Sequence, residues 1–170
     1  MSATAAQAEI SHARTWNMAT RIKPVAKDLY EKDFYAWSKE QAKLLRAGRF
    51  GDLDLDHLIE EVEDLGESLE RSVRSRIRNI IEHLLKLEYS QAQDPRGGWY
   101  DAVLTQRDDL LDGLTATLRR HAEGELPELY AQARRRTQTS LQKHGEATAA
   151  DALPESCPYS LDQITGDWLP

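Results

Sequence analysis

Apolar and polar residues alternate with a helical period along most of the chain, most regularly between residues 54 and 90. Apolar side chains recur there at steps of three and four residues, which places them on one face of an α-helix. This stripe contains Leu55, Leu58, Ile59, Val62, Leu65, Leu69, Val73, Ile77, Ile80, Leu84 and Leu87. With no strand-length alternation and no internal repeat, the pattern predicts an all-α fold, a helical bundle built around one long central helix (about 54–90).

The length of this segment raises a question about what covers it. An unbroken helix over these residues would be roughly 50 Å long, whereas a compact chain of this size has a radius of gyration of about 15 Å. Either the helix breaks near Gly66, in the middle of the apolar face, or it continues and a second copy of the protein covers part of it. We expect a continuous helix and a homodimer.

Capping residues and helix breakers place the remaining elements. Asp33 is suited to cap a helix that ends at Gly48 and turns Phe34, Trp37, Gln41, Leu44 and Leu45 to one face. A third helix is expected from Trp99 to near Gly124, with Val103, Leu104, Leu110, Leu111, Leu114 and Leu118 toward the core. A fourth is expected from about Pro127 to Gly145, with Leu129, Tyr130, Ala133 and Leu141 on its apolar face. The proline-rich C-terminal tail is predicted to be irregular, with one short helix near Asp162.

Residues 1–28 form a leader that differs from the rest of the chain. Ala6, Ile10, Ala13 and Trp16 recur at helical spacing in an alanine-rich context. A short helix of this kind is rarely stable in isolation, so we expect it to dock, with another subunit as one candidate. Residues 29–170 are expected to form a single helical domain.

The composition of the chain argues against a nucleic-acid-binding, membrane or secreted protein. The net charge of −7 and the pI near 5.3 make nucleic acid an unlikely partner, because phosphate-binding proteins usually have a basic excess. No apolar run approaches the roughly 20 residues that span a bilayer, and the N-terminus does not resemble a signal peptide. The single cysteine, Cys157, is compatible with a reducing compartment. We therefore expect a soluble cytoplasmic protein with no membrane association.

One arginine stands out as a candidate for chemistry. Arg107 projects into the apolar stripe of the third helix, between Val103 and Leu110, and a buried guanidinium requires a carboxylate or several carbonyl oxygens. Acids line the long helix, with Glu63 and Glu70 near the apolar edge and Glu60 and Asp64 further toward solvent, while Arg76 and His83 lie on the opposite flank. Two interpretations stay open: a buried ion pair that fixes helix register, and a polar pocket formed by Glu60, Glu63, His83 and Arg107.

Metal binding and nucleophilic catalysis have weaker signals. Helical bundles bind metals through Glu-x-x-His pairs on separate helices, and the surroundings of His57, His83 and His121 do not show that spacing. Cys157 has no basic neighbour in sequence. The arginines at 119–120 and 134–136 are interpreted as a solvated helix face. We expect no metal and no cofactor, and assign no catalytic residue.

Five pieces of sequence, in order, carry a resemblance to a known family. They are residues 29–37 (LYEKDFYAW), 59–66 (IEEVEDLG), 83–86 (HLLK), Trp99 with Gln106-Arg107, and 154–161 (PESCPYSL). Together they resemble the domain of unknown function 29 family of bacterial proteins over residues 29–170. The resemblance implies a small all-helical protein and no particular reaction. It also places Glu60, Glu61, Glu63, Asp64, His83 and Arg107 among the family's recurring positions.

Two functions are compatible with these observations. The first is a small cytoplasmic helical interaction or scaffold protein that acts as a homo-oligomer through the long helix and the leader and can bind a further protein partner. The alternative is an enzyme or ligand-binding bundle with a polar pocket of acidic, histidine and arginine side chains between helices. A nucleic-acid-associated regulator is a weaker third possibility.

Overall fold

A computed structural model describes residues 29–170 and contains helices but no strand within that range. The predicted docking helix in the leader 1–28 lies outside the described residues and stays a prediction. The helices are α1 (Phe34–Arg46), α2 (Leu55–Tyr89), α3 (Arg96–Leu111), α4 (Ala116–Lys143), α5 (Ala147–Asp151) and α6 (Leu161–Thr165), with a 3₁₀ turn at Phe50–Asp52. The all-α prediction is confirmed.

The described residues divide between two compact units, one ending at Glu60 and the other running from Glu61 to Pro170. In its described part, the first unit contains α1, the 3₁₀ turn and the first residues of α2. The second unit contains the rest of α2 and the helices α3 to α6. The boundary therefore falls inside a continuous helix and inside the range 29–170 that we expect to be one domain.

In the first unit, α1 begins and ends as its sequence predicts. The side chain of Asp33 accepts a hydrogen bond from the backbone N–H of Ala36 at 2.9 Å, which satisfies one free donor of the first turn. The helix ends before Gly48, whose φ of 67° suits a residue without a Cβ. Its buried side chains are Trp37, Gln41 and Leu44. Phe34 and Leu45, predicted on the same face, are exposed.

Helix α2 runs from Leu55 to Tyr89 and passes Gly66 without a break, as predicted. Its apolar stripe divides into two parts. From Val73 onward the stripe is buried in the core of the second unit, together with α3, α4 and the C-terminal segment. Before Val73 the stripe is largely exposed. One helix face with regular apolar spacing is therefore buried in its second part and open to solvent in its first.

The boundary between α3 and α4 differs from the prediction. The expected third helix ends at Leu111 rather than near Gly124, and Thr115 caps α4 by accepting a hydrogen bond from the N–H of Leu118. Pro127 lies inside α4 instead of starting a helix. Proline in a helix interior removes a hydrogen bond and costs about 3 kcal/mol. Burial of Ala122 before it and Leu129, Tyr130 and Ala133 after it offsets this cost.

The core of the second unit combines the predicted positions with several that periodicity does not reveal. Val103, Leu110, Leu129, Tyr130, Ala133 and Leu141 are buried as predicted, whereas Leu104 and Leu111 are exposed. The tail contains the predicted short helix, α6, with Ser160 and Gln163 forming a capping box, and an additional short helix, α5. From this segment Leu153, Tyr159, Leu161 and Ile164 enter the core. None of the helices in the described residues has the length and apolar character to span a membrane.

Candidate functional site

Arg107 is buried in the second unit, with only 4% of its surface exposed. Its guanidinium donates three hydrogen bonds to backbone carbonyls of the C-terminal segment: Nε to Ile164 at 3.0 Å, and Nη2 to Gln163 at 2.8 Å and to Trp168 at 2.6 Å. The last carbonyls of a helix have no partner within the helix, and two of these acceptors belong to α6. Arg107 therefore fixes the end of the chain onto α3.

The prediction that Arg107 is buried is confirmed, and its partners are carbonyl oxygens. The buried ion pair with an acid of the long helix is not formed: none of the ion pairs within residues 29–170 includes Arg107. Burial lowers the pKa of the guanidinium, and the negative charge of Asp167 acts in the opposite direction. The third nitrogen, Nη1, is buried and has no partner in the described part of the chain.

The other candidate residues make separate contacts. Glu60 in the first unit and Glu63 in the second are exposed. His83 lies with its Nδ1 2.7 Å from the carbonyl oxygen of Asn79, one turn earlier in α2. No hydrogen bond or ion pair in the described range joins any two of Glu60, Glu63, His83 and Arg107. In this structure the predicted polar pocket is not assembled from these residues by direct contacts.

Further charged pairs hold α2 against α3 and α4 in the second unit. Arg76 binds Asp109 at 2.5 Å, and His121 lies 3.6 Å from Glu70. Arg74 also pairs with Glu125 at 3.2 Å. These pairs are partly exposed, so each contributes little to stability. They specify which helix faces meet.

The first unit contains a polar cluster that the sequence analysis missed. One carboxylate oxygen of Asp54 accepts a hydrogen bond from Nε1 of Trp37 at 3.2 Å and lies 2.7 Å from Nδ1 of His57. The backbone N–H of Asp54 donates to the side chain of Gln41 at 2.9 Å. The ring of His57 stacks on Tyr30, with the ring centroids 3.9 Å apart. The cluster joins α1 to the start of α2.

A matched pair of substitutions measures the contribution of this cluster. Asp54→Ala removes the acceptor of Trp37 and His57, whose side chains lie in a largely buried site, and we expect the protein to lose about 2 kcal/mol of stability. Asp56→Ala, two residues later at an exposed position, is expected to cost less than about 1 kcal/mol. Urea unfolding followed by circular dichroism compares the two variants, and equal losses would contradict the role given to Asp54.

Cys157 lies at a half-buried position in the tail of the second unit. Burial raises the pKa of its thiol, while the hydrogen bond that Sγ donates to the carbonyl of Tyr159, at 3.3 Å, acts in the opposite direction. A nucleophilic cysteine needs the thiolate form, which a lowered pKa favours. The environment of Cys157 therefore does not activate it.

Of the arginines at 119–120 and 134–136, which the sequence places on a solvated helix face, three make contacts within the second unit. Arg119 binds the carboxylate of Asp162, Arg136 binds Glu82 at 3.1 Å, and Arg134 donates to the carbonyl of Leu153. These contacts attach the tail and α2 to α4. In the part of the chain that the structure describes, no group of three or more His, Cys, Asp or Glu side chains is placed to hold a metal ion.

Part of the apolar α2 stripe is exposed to solvent. In the second unit Val62, Leu65 and Leu69 are 69%, 64% and 51% exposed, and in the first unit Leu55 and Ile59 are also exposed. Single exposed apolar residues are common, but a row of them on one helix face is typical of an interaction surface. We call Val62, Leu65 and Leu69 the open stripe.

Comparison with known proteins places the chain among helical proteins whose activity is not assigned. A crystal structure of an alpha-helical protein of unknown function from Rhodospirillum rubrum ATCC 11170, at 1.45 Å resolution, is similar to this fold with a TM-score of 0.61 and 26% sequence identity, covering 81% of this chain and 89% of that one. Among curated proteins, none matches the sequence. The model of the family described as "Domain of unknown function DUF29" matches residues 29–169. This match extends over most of the chain, which therefore belongs to the DUF29 family.

Proposed function

We propose that this protein is a helical interaction protein of the bacterial cytoplasm that acts as a homodimer. The open stripe on α2 is the observation that carries the proposal, because its three apolar side chains have the spacing of a helix–helix contact and are more than half exposed. A second copy that packs on this face would remove that apolar surface from water. The single cysteine and the acidic composition support a cytoplasmic location.

The distribution of charged residues indicates which other segment contributes to the contact between the two copies. Residues 54–70 contain eight acids and no lysine or arginine, namely Asp54, Asp56, Glu60, Glu61, Glu63, Asp64, Glu67 and Glu70. Two such segments packed alone would repel each other. The leader has the opposite character, since its basic residues are Arg14, Arg21, Lys23 and Lys27 and its acids are Glu9 and Asp28. The dimer that we propose therefore includes the leader of one copy beside the acidic segment of the other.

The test is the oligomeric state of the full chain. We expect size-exclusion chromatography with light scattering to give twice the monomer mass of 19.3 kDa. Val62→Glu places a charge in the open stripe and removes the burial of one apolar side chain. We expect the dissociation constant to rise at least about tenfold, corresponding to about 1.4 kcal/mol.

A control variant separates this effect from a general effect of surface charge. Leu111→Glu makes a similar change at a leucine of α3 that is 56% exposed and lies outside the open stripe. It is expected to leave the dissociation constant within about twofold of the original chain. A monomer at all concentrations for the unaltered protein, or equal weakening by both variants, would contradict the proposal.

A further inference from the structure

A cavity of about 550 Å³ lies in the second unit, and neither Arg107 nor the open stripe contributes to its lining. Its walls come from the end of α2, the connector after it, the first turn of α3 and the end of α4. Among the lining residues are Lys86, Gln91, Trp99, Ser140, Leu141 and His144. A volume of this size is in the range of small-molecule sites. The cavity is partly open to solvent, so a ligand could enter without rearrangement of the core.

The frame of this cavity is fixed by hydrogen bonds. Glu146 accepts from the hydroxyl of Ser90 with both carboxylate oxygens, at 2.9 Å each, and from the N–H of Gln91 at 2.8 Å. Arg96 donates to the carbonyls of Leu87 at 2.7 Å and Ser90 at 3.4 Å. These hydrogen bonds hold both ends of the connector between α2 and α3, which carries the lining residues Gln91, Ala92 and Pro95.

Two charged side chains line the cavity, and only one of them has hydrogen-bond partners in the part of the chain that the structure describes. Glu146 also lines it, but its carboxylate is occupied by the three hydrogen bonds from the connector. The side-chain ammonium group of Lys86 forms no ion pair and no hydrogen bond within the described residues. His144 contributes an imidazole, and Ser140 and Gln91 contribute neutral polar groups. Of the two charged side chains in the lining, Glu146 already accepts hydrogen bonds from the connector, so the ammonium group of Lys86 is the one free to bind a ligand, and an ammonium group binds anions.

The apolar part of the wall indicates the shape of such a ligand. Trp99 is partly buried against the core and lines the cavity together with Leu141, Pro95 and Ala92. An indole ring offers a flat surface on which a planar group can stack. A cation near an aromatic wall suits a molecule with a planar apolar body and one acidic group.

We propose that this cavity binds a small organic anion with a flat apolar body, of the class of aromatic carboxylates, with Lys86 as the partner of its carboxylate. The site is independent of dimerisation, because none of its residues belongs to the open stripe. A ligand-binding role of the second unit would therefore persist in a monomeric variant such as Val62→Glu.

The experiment uses the full chain and the probe 2-naphthoate, followed by calorimetry and by the fluorescence of tryptophan. We expect saturable binding with one site per chain. The dissociation constant of the neutral analogue 2-naphthamide should be at least about ten times higher. No saturable binding of 2-naphthoate, or equal binding of the neutral analogue, would overturn the proposal.

Three variants locate the probe. Lys86→Gln should weaken 2-naphthoate at least about tenfold and leave 2-naphthamide unchanged, so that the charge effect is assigned to this ammonium group. Lys143→Gln makes the same charge change at an exposed lysine of α4 that does not line the cavity and should change binding less than about twofold. Ala92→Phe should fill the space and abolish binding of both probes while the melting temperature is retained. An unchanged affinity in Lys86→Gln or in a correctly folded Ala92→Phe variant would overturn the assignment of the site.

Discussion

Replacing Arg107 by methionine is expected to destabilise the protein by about 3 kcal/mol. The substitution keeps an unbranched but shorter side chain and removes the donors to the carbonyls of Gln163, Ile164 and Trp168. Each buried carbonyl left without a donor costs about 1 to 3 kcal/mol, and removal of the buried charge returns part of this cost. We expect the loss in urea unfolding, together with faster proteolysis of the tail after residue 160.

Arg120 provides the control for this prediction. It lies on α4 at an exposed position, and Arg120→Met should change the free energy of unfolding by less than about 0.5 kcal/mol. Arg107→Lys keeps the charge but cannot supply the planar donor set, so we expect a stability between those of Arg107→Met and the unaltered chain. An Arg107→Met variant as stable as the original, with an equally protected tail, would show that these hydrogen bonds do not hold the C-terminus.

The burial of Arg107 could be predicted from sequence, but the identity of its partners could not. Helical projection places residue 107 between Val103 and Leu110, and those two neighbours are buried. Its acceptors are backbone carbonyls of a proline-rich segment, and every residue has such a carbonyl. Only the path of the tail decides which carbonyls arrive at Arg107, and this path has no periodicity that a sequence pattern reveals.

For the long helix, too, the sequence predicts the local structure but not which part of the helix is buried. The regular stripe and the absence of a proline were sufficient to predict a continuous helix through Gly66. The same regularity extends from the exposed Val62 to the buried Ile80, so spacing alone cannot distinguish the two environments. The stripe places Glu63 at its apolar edge and Glu60 further toward solvent, and in the structure both side chains are exposed and form no hydrogen bond with Arg107.

Pro127 and Asp54 show how tertiary contacts alter a local interpretation. A proline next to a glycine-containing stretch favours a helix start, yet α4 continues through it because residues on both sides enter the core. Asp54 directly precedes α2, where an aspartate side chain commonly caps a helix. Its carboxylate instead contacts Trp37 and His57, and the contact with Trp37 spans seventeen residues of sequence.

The second large effect is a loss of stability at alkaline pH, to which two buried tyrosines of the second unit contribute. Tyr130 donates to the carbonyl of Pro154 at 2.6 Å, and Tyr159 donates to Glu88 at 2.7 Å. Burial raises the pKa of Tyr130 to about 12. Burial, the hydrogen bond to Glu88 and the charge of Glu88 raise the pKa of Tyr159 further. Both hydroxyls therefore keep their protons in the folded protein at pH values where an unfolded chain loses them.

The sign of the pH dependence follows from this difference. A tyrosine in the unfolded chain has a pKa of about 10, so its contribution to stability is complete below pH 10 and decreases as the pH rises toward the folded-state value. Above pH 10, each of the two tyrosines should lower the free energy of unfolding by about 1.4 kcal/mol per pH unit. Their combined contribution to the loss at pH 11 is about 3 kcal/mol. Urea unfolding at pH 8 and pH 11 measures this loss.

Phenylalanine variants assign the alkaline loss to these side chains, because phenylalanine has no proton to lose. Tyr159→Phe should lower stability at pH 8 by about 1 to 2 kcal/mol, the contribution of its hydrogen bond to Glu88, and should reduce the loss between pH 8 and pH 11 by about 1.4 kcal/mol. Tyr35→Phe, at a residue of α1 that is 70% exposed, should leave that loss unchanged and so controls for a general effect of removing a tyrosine hydroxyl. If Tyr159→Phe and Tyr35→Phe lose equal stability between the two pH values, the buried hydroxyl of Tyr159 is not the group responsible.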